Sequence, residues 1–151
     1  MAAERAARRP AVSAVAIVMI VCAGCSITQD VRPVPPSVEP DVCVIENPAV
    51  RPLVLGAYMD TLARRGYRVR VVRDAAADEC PLTSTYVARW SWDMKPYMGY
   101  ARIDVLRHGQ TIGEAVYDCH ASASFDRYVE PRAKITELVE QLYPSRDGGA
   151  R

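Results

Sequence analysis

No charge of either sign is in excess in this chain, histidine is nearly missing, and no apolar run is long enough to span a bilayer. The 151 residues carry 19 Lys plus Arg against 18 Asp plus Glu, a net of +1. A chain so balanced lacks the basic field on which non-specific nucleic-acid binding depends, which excludes nucleic acid as the expected partner. Glycine-rich phosphate loops, Gly-x-Ser-x-Gly and His-Glu-x-x-His are all missing. The only two histidines are His108 and His120. Cys119-His120 has metal-ligand chemistry, but a zinc site needs three or four converging ligands, so no metal is expected. Neighbouring strand residues point to opposite faces, so Cys119 and His120 would not meet as a thiol–imidazole pair either. Asp93 beside Trp92 is a candidate acid in an aromatic pocket, but no second carboxylate is placed by motif to share acid and base roles. The expectation is therefore a non-enzymatic protein without cofactor. A small membrane-displayed hydrolase or thiol enzyme, with a polar cleft at Asp93 or His120, is the alternative.

What is present is most distinctive at the N-terminus. Arg5, Arg8 and Arg9 face a single acid, Glu4, and Ala11 to Gly24 is a 14-residue run without charge. That is the charged and apolar pattern of a secretory signal, too short for the about 20 residues a spanning helix needs. The run ends Cys22-Ala23-Gly24-Cys25, which resembles a bacterial lipobox, small residues preceding a cysteine that is acylated and becomes residue one. Cys25 is the expected lipidation site. Cys22 competes less well because Val21, before it, is branched. Two or three acyl chains on one cysteine hold far more durably than one, at about 0.8 kcal/mol per buried methylene. Ser26 stands where Asp would favour inner-membrane retention, so the expected location is the outer membrane, with the domain in the periplasm. The expected partners are the membrane, through the acyl chains on Cys25, and a periplasmic protein or envelope component. Removing residues 1–24 leaves 16 basic and 17 acidic groups, a net of −1.

Between Ser26 and Pro40 stand Pro33, Pro35 and Pro36, and no apolar period of either kind. The expectation is a Pro-rich tether over 25–40, extended at about 3.1 Å per residue. The expected order is then a signal over 1–24, the tether, one folded domain over 41–144 and a disordered Gly-rich tail over 145–151.

Inside the domain, Val42-Cys43-Val44-Ile45 reads as a strand. Pro52, the repeat Leu55, Tyr58, Met59 and Leu62, and Gly66 delimit a helix. Tyr67 to Val72, Leu82 to Trp92, Met98 to Arg107 and Thr111 to Cys119 alternate as strands, and Arg107-His108-Gly109-Gln110 is a hairpin turn. Ile135, Leu138, Val139 and Leu142 form a helical stripe between Pro131 and Pro144. The order β-α-β-β-β-β-α predicts an α+β, two-layer fold, a mainly antiparallel sheet of four to five strands with two helices on one face.

Cysteine pairing follows from the compartment. With Cys25 acylated, Cys43, Cys80 and Cys119 remain, and an oxidising environment allows one bridge at most. Cys43 with Cys80 is the expected pair, both near element ends, while Cys119 alternates with Ala115 and Tyr117 as a core residue. Cys43 with Cys119, or three free thiols, are the alternatives.

The lipobox at Cys25, Val42-Cys43-Val44-Ile45-Glu46-Asn47-Pro48, the cysteine at 80 before a strand, and Trp90-Ser91-Trp92-Asp93 followed by Pro96-Tyr97 together resemble the Sbal-type family of small proteobacterial lipoproteins. The resemblance implies an envelope lipoprotein of uncharacterised function with no catalytic residues to carry over. Cys119 lies outside that pattern, in keeping with an unpaired thiol. Tyr86, Trp90, Trp92, Tyr97 and Tyr100 are the remaining candidates. Same-face aromatics on a central strand ordinarily fill the core under a helix. On a surface, Trp90, Trp92 and Tyr97 with Arg89, and Lys95 nearby, would form a partner face.

Overall fold

A computed structural model describes residues 27–73, 80–120 and 125–146. The signal segment and Cys25 lie outside the described residues. The fold is α+β, with strands β1 (Thr28–Arg32), β2 (Asp41–Ile45), β3 (Arg68–Val72), β4 (Leu82–Asp93), β5 (Lys95–Arg107) and β6 (Gln110–Asp118), and helices α1 (Pro52–Arg64) and α2 (Pro131–Leu142). A single 3-10 turn, Phe125–Tyr128, precedes α2. The helices begin and end where the sequence predicts. Pro52 and Pro131 occupy first-turn positions that need no backbone donor, and Glu130 caps α2 by accepting from the Arg132 and Ala133 amides.

Six strands form one sheet in the order β1-β6-β5-β4-β2-β3. The sheet is mainly antiparallel as expected, with one strand more than the four to five anticipated, because β1 joins it. The pairs β1–β6, β6–β5 and β5–β4 are antiparallel, but β2 lies parallel to both β3 and β4. The reason is topological: the α1 crossover returns the chain to the same end of the sheet before β3 starts, which only parallel pairing satisfies. Alternation places Val42, Val44, Leu82, Tyr86, Ile103, Val105, Ala115 and Tyr117 in the core. There they meet Val54, Tyr58 and Leu62 of α1 and Ile135, Leu138 and Leu142 of α2. A hydroxyl chain is buried within this layer: Tyr58 Oη lies 2.6 Å from Ser84 Oγ and 2.8 Å from Tyr143 Oη, and Ser84 donates to the Asp104 carbonyl. Burial pushes the Tyr58 phenol up and Tyr143 to about 12, so both remain protonated donors.

The expected tether is largely part of the fold. Thr28–Arg32 pairs along its whole length with β6, from Thr28 opposite Asp118 to Arg32 opposite Glu114. The strand stops at Pro33, which has no N–H to continue a ladder. Beyond it Val34 and Val38 are each 2% exposed, and the Val34 amide donates to the Leu142 carbonyl at 2.9 Å. Among the prolines, Val31, Val34 and Val38 recur at spacings of three and four in a chain that is not helical, and Val34 docks against the end of α2. Gly113 makes room for it: a Cβ there would stand 2.5 Å from Val34 Cγ1 and 3.2 Å from Leu142 Cδ1. The expected tail is also held as far as Arg146, whose amide donates to the Arg65 carbonyl and whose guanidinium donates to the Val38 carbonyl. Residues 147–151 lie outside the described residues.

Candidate functional site

Cys43 and Cys80 form a disulfide, with Cα atoms 6.0 Å apart, and Cys119 is a buried free thiol. The bridge ties β2 to the start of β4. Against it, Asp41, Val42, Arg68, Val69, Arg70 and Pro81 line an open cleft of about 350 Å³. Two of its three charges are paired, Arg68 donating to both Asp41 oxygens, while Arg70 Nη2 lies 3.3 Å from the neutral Cys80 Sγ. The Arg68 guanidinium hydrogen-bonded to it keeps the Asp41 carboxyl below its ordinary range.

The aromatic group divides. Tyr86 and Tyr97 are buried, Tyr100 and Trp90 are half-buried, and Arg89 is exposed. Trp90 lies under the Arg51 guanidinium, 3.7 Å from its centroid, and its buried indole N–H has no acceptor among the described residues. Trp92 is 75% exposed. Two features separate it from Tyr86 and Ala88, which the alternation placed on its face. A bulge between Arg89 and Trp90 shifts the register, so Arg89 pairs with Tyr100 but Trp90 with Met98. Strand length is the second. The 12 residues of β4 at about 3.3 Å each outrun helices rising about 1.5 Å per residue, so the hairpin end projects past its cover.

At that end Met94 alone turns the chain between Asp93 and Lys95, with φ of 58°. The 3-10 turn braces it. Tyr128 Oη donates to the Asp93 carbonyl at 2.6 Å, Arg127 pairs with the Asp93 carboxylate at 2.5 Å, and the Tyr97 and Tyr128 rings meet edge to face at 5.6 Å. Lys95 Nζ stands 4.6 Å over the Tyr128 ring. Braced in this way, the turn holds Met94 at 81% and Phe125 at 83% exposure, the rim of a shallow cleft of about 350 Å³ with Lys95 and Tyr128. Trp92 pairs with Pro96 on the other face of the hairpin, so the projecting end carries exposed apolar side chains on both faces. Phe125 gave no sequence signal, being a lone Phe in a segment without period.

At the same end of the sheet a hydrogen-bond chain joins Ser91 to His120, 29 residues away in sequence, and to Asp118. His120 Nδ1 donates to Asp118 Oδ1 at 3.0 Å, leaving Nε2, 3.1 Å from Ser91 Oγ, to accept from the hydroxyl. The Asp118 carboxyl is held below its ordinary range, chiefly by the His120 amide it also accepts. Gly99 permits the approach, since a Cβ there would sit 2.8 Å from Ser91 Oγ and 2.9 Å from His120 Nε2. The order Ser–His–Asp is that of a nucleophile relay, but Asp118 and His120 are 44% and 46% exposed, whereas such a carboxylate works buried. Cys119 turns the other way, its thiol 3.6 Å from the Met98 carbonyl. Among the described residues no group of three His, Cys, Asp or Glu could hold a metal, and no helix is long and apolar enough to cross a membrane.

No family model and no curated protein matches the chain. The fold is similar to that of PelC from Paraburkholderia phytofirmans, solved as a dodecamer. Identity is 16% and the TM-score 0.52, over 74% of this chain and 92% of that one. A point variant of the same PelC, also a dodecamer, aligns at 15% identity and TM-score 0.47, over 76% of this chain and 92% of that one. At such identity the likeness is one of fold.

Proposed function

We propose that this chain is a lipid-anchored cell-envelope protein, held through acylated Cys25 and acting as a non-enzymatic binding or assembly module, at the periplasmic side of the outer membrane. The observation that carries the reading is Cys22-Ala23-Gly24-Cys25 closing an uncharged run behind three arginines. The buried Cys43–Cys80 bridge supports it, because such bonds persist in oxidising compartments. The dodecameric state of PelC supports assembly as the module's task, and the outer edges of β1 and β3, which no strand among the described residues pairs, are the natural contact lines. The resemblance to Sbal-type lipoproteins points to the same compartment. Palmitate labelling of cells expressing the chain tests the anchor: label is expected on the wild type and none on Cys25→Ala. Native mass spectrometry of the mature chain tests the assembly, and a strictly monomeric protein would defeat it.

A second reading, a membrane-displayed hydrolase, is favoured by the Ser91–His120–Asp118 chain alone. A fluorophosphonate probe decides it. Labelling abolished by Ser91→Ala would support an enzyme; no labelling leaves Ser91 as a sheet-surface hydroxyl.

A further inference from the structure

We infer that the apolar end of the β4–β5 hairpin, Trp92 and Met94 with Phe125, is a second membrane contact that seats in the headgroup region of the bilayer holding the anchor. The inference rests on the lipid-anchor reading of Cys25 and deepens it.

Strand register places the anchor and the cluster at one end of the molecule. Thr28 pairs with Asp118, and Asp118 with Tyr100, so the three form a row across the sheet. Both steps are antiparallel, so β1 runs in the same direction as β5. Followed backward, each chain leaves that row toward the same side. From Tyr100, β5 continues back to Lys95, which at about 3.3 Å per residue carries the hairpin roughly 15 Å beyond the row. From Thr28 the chain has three residues to Cys25, at most about 11 Å of covalent reach. The lateral offset between β1 and β5 is two strand spacings, about 10 Å. Because Thr28–Arg32 is fixed to the sheet and Val34 to the end of α2, no long leash separates the acylated residue from the domain. The acyl chains must therefore draw this end, and with it the projecting hairpin, against the bilayer.

The residues found there suit that surface. Tryptophan concentrates at membrane interfaces, where its ring sits among headgroups, and Met and Phe supply apolar area without a polar group to desolvate. Lys95 is exposed beside them and offers a cation to lipid phosphate. The acids nearby are Asp93, neutralised by Arg127, and Asp126, which is exposed on the 3-10 turn. The local charge is thus close to balanced, and burial of apolar surface is the driving term. At the opposite end of the sheet the corresponding positions are polar.

The mature acylated chain, reconstituted into phosphatidylethanolamine–phosphatidylglycerol vesicles containing lipids brominated near the headgroup, tests this by tryptophan quenching. Trp92 is solvent-exposed, so Trp92→Phe keeps the fold, and the wild type minus this variant reports Trp92 alone. Roughly half of the Trp92 emission should be lost to shallow bromines, with a shift to shorter wavelength. Met94→Glu with Phe125→Glu should remove that quenching while the acylated chain still floats with the vesicles. Floating protein whose Trp92 is neither shifted nor quenched overturns the membrane contact, leaves the anchor standing and assigns the cluster to a protein partner. An N-terminal peptide without acyl mass, in protein that does not float, defeats the anchor reading and this inference together.

Discussion

The two ends of one sheet are built on opposite terms. At the β5–β6 end the turn is His108-Gly109, both with positive φ, flanked by the Arg107–Glu39 ion pair at 2.7 Å and, two strands away, by the Cys43–Cys80 bridge. Every large side chain at this turn is polar. At the β4–β5 end the turn residue is Met94, also with positive φ, and its exposed neighbours are Trp92 and Phe125. Met94 and Phe125, 81% and 83% exposed, add little burial to the fold there. What the difference teaches is that stability and display are segregated: one end is locked by a covalent bond and matched charge, the other carries apolar surface at the cost of solubility.

The largest expected effect comes from unlocking the closed end. Cys43→Ala with Cys80→Ala should lower stability by about 2–5 kcal/mol in urea unfolding, while Trp92 emission of the still-folded protein stays as in the wild type. A changed Trp92 spectrum would break the separation of the two ends. Next, Gly113→Ala sets a methyl against Val34 and should cost about 1–3 kcal/mol. It should also raise hydrogen exchange at the Val34 amide more than at amides of β4, because the docked segment is what must move. A smaller, paired effect compares the turns directly. Met94→Gly and His108→Gly each relieve a left-handed non-glycine residue and should change stability by about 1 kcal/mol or less, with similar sign. Only Met94→Gly should weaken vesicle contact. The smallest effect is acid loss. Glu39, Asp41, Asp118 and Glu137 all have folded-state pKa values below the free values of 4.5 or 3.8. Depressed carboxyl pKa values stabilise above the unfolded values, and that contribution disappears as pH falls through the folded ones. Thermal midpoints should therefore hold from neutrality to about pH 5 and decline below about pH 4.

Local signals gave most of the elements. Pro52, Pro131 and the apolar stripes marked both helices, and the His108-Gly109 turn marked the β5–β6 hairpin, because caps and turns are decided within a few residues. The buried side of Cys119 followed from strand alternation, and its free state from the choice of Cys43 with Cys80 as the pair. Three features were decided by partners far away in sequence. The parallel seat of β2 between β3 and β4 follows from a crossover, and no residue of Asp41–Ile45 encodes which neighbours it takes. The docked segment was masked by its prolines, whose meaning depended on whether α2 would stand beside Val34. The bulge at Arg89–Trp90 overturned strict alternation and left Trp92 in solvent. Of the candidate site, Trp92 was legible as an aromatic of ambiguous side, whereas Phe125 and the Ser91–His120 contact, 29 residues apart, were not legible at all.

The pairing of β1 with β6 also orders events in time. Thr28 and Asp118 are 90 residues apart, so in any N-terminus-first delivery β1 has no partner until nearly the whole chain has followed. Loop closure over that distance belongs to the late, slow part of folding. On the lipid-anchor proposal, the strand that follows Cys25 is then still an open chain while the rest of the protein is being delivered, which leaves the acylation site accessible to processing enzymes. It becomes a rigid strut only once β6 arrives.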